Sequence, residues 1–213
     1  MTDSAVDKLI QGYQQFRDDK FQTQRPLIED LTTNGQKPQI AVVSCSDSRV
    51  DPALLFQTDP GDLFMIRNVA NMVPSEDQTG EYHGTMAALE FAVLGLGVKH
   101  ILVMGHAQCG GINLMMQPDP FDGPFKYVPA WVSKFKAAHQ RVQASQPNLS
   151  DSESARACEQ QSILLSLENL MTYSWVSERI NQDQLCLHGW YIDIGKPELS
   201  AYDQEAGKFL TLE

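Results

Sequence analysis

Cysteine is scarce in this chain, with 4 among 213 residues, too few for the disulfide framework that staples small secreted domains. Basic residues are outnumbered: 16 Lys and Arg stand against 27 Asp and Glu, a formal net charge of −11. No Lys/Arg cluster reverses that balance locally, so nothing draws the chain to nucleic acid or anionic membranes. No apolar run approaches the length of a membrane span. Residues Met1 to Lys8 are polar and acidic rather than basic and then apolar, which argues against an export signal. Internal repeats, low-complexity tracts and clear linkers are also missing. Nucleic-acid binding, membrane insertion and secretion are set aside, and a cytoplasmic location is expected.

At ~150 residues per domain the chain reads as one domain over 1–213, able to bury a sizeable core without a metal or disulfide merely to fold. Leu9, Ile10, Tyr13 and Phe16, then Phe21, Leu27, Ile28 and Leu31, recur at helical spacing. They predict an N-terminal helical arm of one or two helices within 1–34, closed by Asn34-Gly35 and Pro38. An α/β core over 39–213 follows. Gln39–Ser44, Leu63–Ile66 and His100–Met104 are short apolar runs expected as strands. Tyr82–Leu96 is expected as a helix ended by Gly97. Strand, helix, strand with apolar strands predicts a parallel sheet covered on both faces. Helices are expected from Gly110 to about Gln117, over Val128–Val142 and over Ala155–Ile180, with a loop at Ser145–Ser154. The tail alternates at Leu185–Ile194, Ser200–Asp203 and Lys208–Leu212, predicting strands that are partly antiparallel. The fold class is α/β: a mostly parallel central sheet with an antiparallel edge, helices on both faces, and the arm.

Two stretches carry chemistry, each at the carboxyl end of a predicted strand, where open α/β sheets bind ligands. In Ser44-Cys45-Ser46-Asp47-Ser48-Arg49, persisting strand geometry would put Cys45, Asp47 and Arg49 on one side. The Arg49 guanidinium can then clamp the Asp47 carboxylate and keep it ionised. In Gly105-His106-Ala107-Gln108-Cys109-Gly110-Gly111, His and Cys three apart on a strand-to-helix turn can reach one metal ion. Cys45 and Cys109 sit in polar Gly/Ser surroundings unlike a core, whereas Cys158 and Cys186 read as buried small hydrophobes. Cys45, His106 and Cys109 together offer S, N and S donors, a catalytic zinc pattern with one position open. A lone H-x-x-C is usually accidental; two such stretches at two strand ends are far more specific.

These residues resemble the β-class carbonic anhydrases, marked by C-x-D-x-R and, some sixty residues on, H-x-x-C-G. Gly61-Asp62-Leu63-Phe64-Met65-Ile66-Arg67-Asn68-Val69-Ala70-Asn71, Glu90-Phe91-Ala92-Val93 and His188-Gly189-Trp190-Tyr191-Ile192-Asp193 agree in the same order. The resemblance implies one Zn2+ per chain held by Cys45, His106 and Cys109, with water or Asp47 fourth. It implies hydroxide attack on CO2 to give bicarbonate and a proton, Asp47 and Arg49 orienting the hydroxide. It places Gln36 as a donor to the substrate oxygen and Phe64 and Val69 in an apolar pocket. Phe91 stands there where the family usually has Tyr. Val42 stands where the family's self-closing form has Trp, so the open, plant/bacterial-type site is expected, Asp47 being a ligand only in a closed state. A homodimer or dimer of dimers is also implied, with the arm wrapping a neighbour. Asn68 is a candidate to hold the Asp47–Arg49 region, and His83 for proton relay, solvation or capping; His100 and His139 read as surface, and His188 as a structural hydrogen bonder. Another cumulated substrate such as carbon disulfide, or a zinc site without catalysis, remain as alternatives.

Overall fold

The computed structural model describes residues 4–78, 80, 83–120 and 122–212. The arm is two helices, α1 (Ser4–Asp18) and α2 (Lys20–Asn34), and neither buries a residue. Strand β1 (Ile40–Cys45) follows, then the short helix α3 (Pro52–Phe56) and β2 (Leu63–Asn68). The sequence reading passed over α3, although Asp51-Pro52 announces it: the Asp51 side chain accepts from Ala53 and Leu54 N–H, and Pro52 sits where its missing N–H is harmless. Helix α4 (Gly84–Glu90) runs on through a wider π-helical turn, Phe91–Leu96, to Gly97 in the left-handed region at φ 69°. Its expected start at Tyr82 lies outside the described residues.

Next come β3 (His100–His106), α5 (Gly110–Met115), α6 (Val128–Ser133), α7 (Lys136–Ser145), α8 (Asp151–Leu170) and α9 (Ser174–Asn181). The strands β4 (Cys186–Asp193), β5 (Glu198–Asp203) and β6 (Lys208–Thr211) close the chain. Two expected helices are each divided. Val128–Val142 breaks at Lys134-Phe135. The long helix starts earlier than read, because Ser150 and Glu153 form a capping box. It ends at Leu170, where the Thr172 hydroxyl takes the Asn169 carbonyl at 2.7 Å.

The strand order is β2-β1-β3-β4-β5-β6. β1 to β4 pair in parallel, and β5 and β6 add antiparallel, so the antiparallel edge is found where the tail predicted it. Helices cover both faces, which is why the inner strands are apolar throughout. Ala41, Val43, Ile101 and Val103 pack with Leu89, Ile163 and Leu170 on one side. Val42, Leu102 and Met104 pack with Ile112, Phe135 and Cys158 on the other. Each fully buried Val, Leu, Ile, Met or Phe side chain among them contributes about 1.5–3 kcal/mol. Helix α8 lies close on the sheet: a Cβ at Gly105 would stand 2.7 Å from Ile163 Cδ1, and one at Gly189 2.9 Å from Ile163 Cγ2. The chain leaves β1 toward β2 on one flank and returns to β3 on the other. That reversal opens a crevice at the carboxyl ends of β1 and β3.

Candidate metal centre

Cys45 is the last residue of β1 and His106 the last of the neighbouring β3. Cys109 follows on a turn in which Gln108 takes the left-handed conformation, φ 58°. The two sulfurs stand 3.9 Å apart, and with one His106 ring nitrogen they form a triangle of ligand atoms all within 4.8 Å. Cys45, His106 and Cys109 are 6%, 1% and 1% exposed. This corrects the reading of the two cysteines as lying in surroundings unlike a core: the Gly and Ser around them serve tight turns, not exposure. Cys158 is buried as expected, but Cys186 is exposed.

His106 Nδ1 lies 2.9 Å from the Ala107 carbonyl, so that nitrogen carries the proton and donates. Nε2 is buried with no hydrogen-bond partner among the described residues, an arrangement proteins avoid unless something else takes the lone pair. A tetrahedral centre with metal–sulfur bonds of about 2.3 Å spaces its two sulfurs about 3.8 Å apart, close to what is found. Two soft sulfurs and an imidazole suit zinc over magnesium or calcium. The electrostatics agree. The Cys109 thiol above all, then the nearby His106 ring and the Asp47 and Ala70 N–H groups, bring the Cys45 thiol down to about 4 despite burial. Cys109 is pushed up by the same contact and by burial. A divalent cation held by the triangle would keep both thiols deprotonated.

Beyond Cys45 the chain bends, so Asp47 and Arg49 do not meet by strand alternation, as the sequence reading supposed. A turn joins them instead: Arg49 N and Nε each donate to Asp47 Oδ1 at 2.9 Å, and Nη2 to Oδ2 at 2.7 Å. Arg49 holds the Asp47 carboxyl well below the usual carboxylate range. Nη2 also reaches the Gln108 carbonyl at 3.3 Å, tying the two motif turns together.

Arg67 staples the Cys45–Asp47 loop. Its Nε and Nη2 donate to the Cys45 carbonyl at 3.0 Å, Nη2 to the Asp47 carbonyl at 2.6 Å, and Nη1 to Asp51 at 2.9 Å. The role suggested for the Asn68 side chain belongs to Arg67. Asn68 instead closes the turn Val69–Asn71, accepting from Met72 N and donating to Met72 O, both at 2.9 Å. That closure supports the left-handed Ala70, φ 66°, a conformation that costs a non-glycine residue about 1–2 kcal/mol. Sequence reasoning passed over Glu159 altogether. It is 3% exposed, accepts from Cys109 N at 3.1 Å and from the Tyr191 hydroxyl at 2.8 Å. A signal existed: Glu159, Ser162, Ile163, Ser166 and Leu170 form one buried helical stripe.

Val69 joins this edge, with its carbonyl accepting from Trp131 Nε1 at 2.8 Å and about a third of its surface open. Phe64 and Phe91 do not. Their ring centroids are 6.0 Å apart, and Phe64 pairs with Ala41, four residues or about 13 Å from the Cys45 level. Gln36 is exposed in the link before β1, at the opposite edge of the sheet. His188 has the hydrogen bond expected of it, 3.1 Å to His100, which is partly buried rather than fully at the surface.

A family model described as carbonic anhydrase matches residues 40–199, from the first residue of β1 into β5 and across both ligand turns. Beta carbonic anhydrase 6, mitochondrial, of Arabidopsis thaliana is 37% identical over 211 residues, 97% of this chain and 72% of that protein. The chain belongs to the β-class carbonic anhydrases. The solved β-carbonic anhydrase CcaA is 34% identical and superposes with a TM-score of 0.93, covering 99% of this chain and 93% of that one. A tetrameric β-carbonic anhydrase of the ascomycete Sordaria macrospora is 25% identical, with a TM-score of 0.81 over 93% and 97% of the two chains. This carbonic anhydrase has no helix, among the described residues, long and apolar enough to cross a membrane.

Proposed function

We propose that this enzyme interconverts CO2 and bicarbonate with one zinc ion per chain, held by Cys45, His106 and Cys109. The observation that carries the reading is the buried triangle with an unpartnered His106 Nε2 beside the Asp47–Arg49 pair. Zinc, when bound there, supplies the Lewis acidity that makes water nucleophilic near neutral pH. The chain's own residues aim the reaction. Ala107, by accepting from Nδ1, fixes the His106 tautomer that leaves Nε2 as donor atom. Asp47, kept ionised, accepts a hydrogen bond from the attacking oxygen and so selects and orients a group that still carries a proton. Arg49 holds Asp47 by both oxygens, which favours the open site over a closed one in which Asp47 is a ligand. Val42 in place of Trp points the same way, and Arg67 is committed to Cys45, Asp47 and Asp51. Val69 gives CO2 an apolar wall.

Gln36, Phe64 and Phe91 complete the pocket only from a second copy, because each lies away from the ligand end of its own chain. A homodimer or dimer of dimers follows, and α1 suits it: Leu9, Ile10, Tyr13 and Phe16 leave its apolar stripe exposed. On this reading the arm (1–34) and core (39–213) are one domain, in a reducing cytoplasm that preserves its free thiols. Gln36→Ala is expected to lower kcat/KM for CO2 about tenfold, the worth of one ordinary hydrogen bond, while the melting temperature holds. An unchanged rate would return Gln36 to the solvated loop.

The direct test is stopped-flow CO2 hydration with zinc quantified on the same sample from pH 7 to 9. Fast zinc-dependent hydration already at pH 7 is expected. Activity confined to the alkaline end would favour the closing form, and one zinc per chain without hydration would refute the reading.

A further inference from the structure

Each CO2 hydrated releases a proton, which has to reach buffer outside before the next turnover. Asp47 is poorly placed to ferry it, since Arg49 occupies both its oxygens. The 5 histidines of the chain separate by position. His106 belongs to the metal centre. His100 and His188 bond to each other, His100 at the amino end of β3, about 20 Å of strand from the ligand end. His139 lines a different cavity with Gln143 and Pro147. His83, just before α4, lines a pocket of about 540 Å³ together with Asn68, Val69 and Trp131.

His83 itself touches Trp131, and contacts among its neighbours run on from there to the ligand edge. Its ring packs on Trp131 with centroids 5.5 Å apart, and Trp131 in turn donates to the Val69 carbonyl. Thr85, two residues on, accepts from Asn68 at 3.2 Å, and Asn68 pairs with Cys45 across the sheet. Val69 also abuts the start of α5: a Cβ on Gly111 would lie 2.8 Å from Val69 Cγ1. Of the ordinary uses of such a histidine, capping does not apply, and the half-buried ring keeps access to solvent. It makes no side-chain cap to α4, and Nδ1 is buried with no hydrogen-bond partner among the described residues.

We propose that His83 is the proton relay of this enzyme, carrying the proton released by hydration from the pocket at Val69 to buffer. The inference rests on the CO2-hydrating reading above. In each cycle the neutral imidazole takes one proton from water in the pocket and yields one to buffer outside. The ring ends as it began, and the buffer leaves with the proton. Burial, then the charge of Lys134, holds His83 below the ordinary imidazole range, so it is a neutral acceptor at pH 7. Arg67 lines the same pocket, and Glu90 lines a smaller cavity that His83 also borders.

The test uses zinc-loaded enzyme and His83→Phe, which keeps a ring against Trp131 and cannot carry a proton. His83→Gln, polar and of similar reach, guards against a packing defect. Loss of a relay lowers kcat and KM together, because the relay acts after carbon–oxygen bond formation. Both variants are expected to lose about 100-fold or more in kcat, with kcat/KM for CO2 unchanged and kcat restored saturably by added imidazole. An unchanged kcat, or a parallel fall of kcat and kcat/KM that imidazole does not relieve, would overturn the relay. If the wild type itself fails to hydrate CO2, the functional reading falls and takes the relay with it. If the wild type hydrates CO2 and both variants match it, the relay alone falls.

Discussion

Cys45→Ser and Cys109→Ser are each expected to give folded protein without stoichiometric zinc and with CO2 hydration near the metal-free background. A serine hydroxyl is close in size to a thiol but is not ionised at neutral pH, so each variant loses a charged, soft donor and keeps two ligands of three. The loss is not one of packing. Cys45 lies among N–H groups from Asp47 and Ala70, and Cys109 faces those of Gly111 and Ile112, all able to donate to a serine oxygen. The melting temperature of the metal-free forms is therefore expected to stay close to that of metal-stripped wild type. The rate falls by at least ~10³-fold, since the Lewis acidity forfeited is worth several kcal/mol of transition-state stabilisation. Zinc analysis of the purified variants, with chelator-treated wild type as reference, checks both points. One zinc per chain retained by both variants would overturn the ligand assignment.

The distinction between what the sequence disclosed and what it withheld follows the physics of each signal. Strands β1 and β3 are short apolar runs bounded by turn residues, and their donors stand at the ends, so the metal triangle was legible once both ends were placed on one sheet edge. The antiparallel tail was legible from alternation. The helix divisions were not, because Thr172 and the Lys134-Phe135 break act through local hydrogen bonding and tertiary packing that leave the apolar spacing intact. Arg67 and Glu159 were obscure for a related reason. A single charged residue in a strand or long helix reads as solvated, and only the fold reveals that Arg67 spends its donors on the Cys45 and Asp47 carbonyls while Glu159 receives the Cys109 amide. The Asp47–Arg49 pair was named correctly on a geometry that does not occur, since side chains two apart also meet across a tight turn.

Asp47→Asn is expected to keep its zinc and lose about 10- to 100-fold of the CO2 hydration rate, the usual effect of altering a group that orients a metal site. Retention of the metal follows from how the loop is held: Arg67 grips the backbone carbonyls of Cys45 and Asp47, and Arg49 N–H bonds can still be accepted by the asparagine oxygen. What changes is the second oxygen. Where Oδ2 now accepts from Arg49 Nη2 at 2.7 Å, an amide NH2 would set donor against donor, so the side chain must turn or lose its clamp. The charge that kept the group an acceptor is also gone. An amide can donate as well as accept, so it no longer favours an attacking oxygen that still carries a proton over one that carries none. kcat/KM for CO2, measured alongside bound zinc and the melting temperature, separates these effects. Full zinc and an unaltered fold with a depressed rate would assign Asp47 to orienting the attack. An undamaged rate at full zinc would remove it from the mechanism and leave the Asp47–Arg49 pair a stabiliser of the loop.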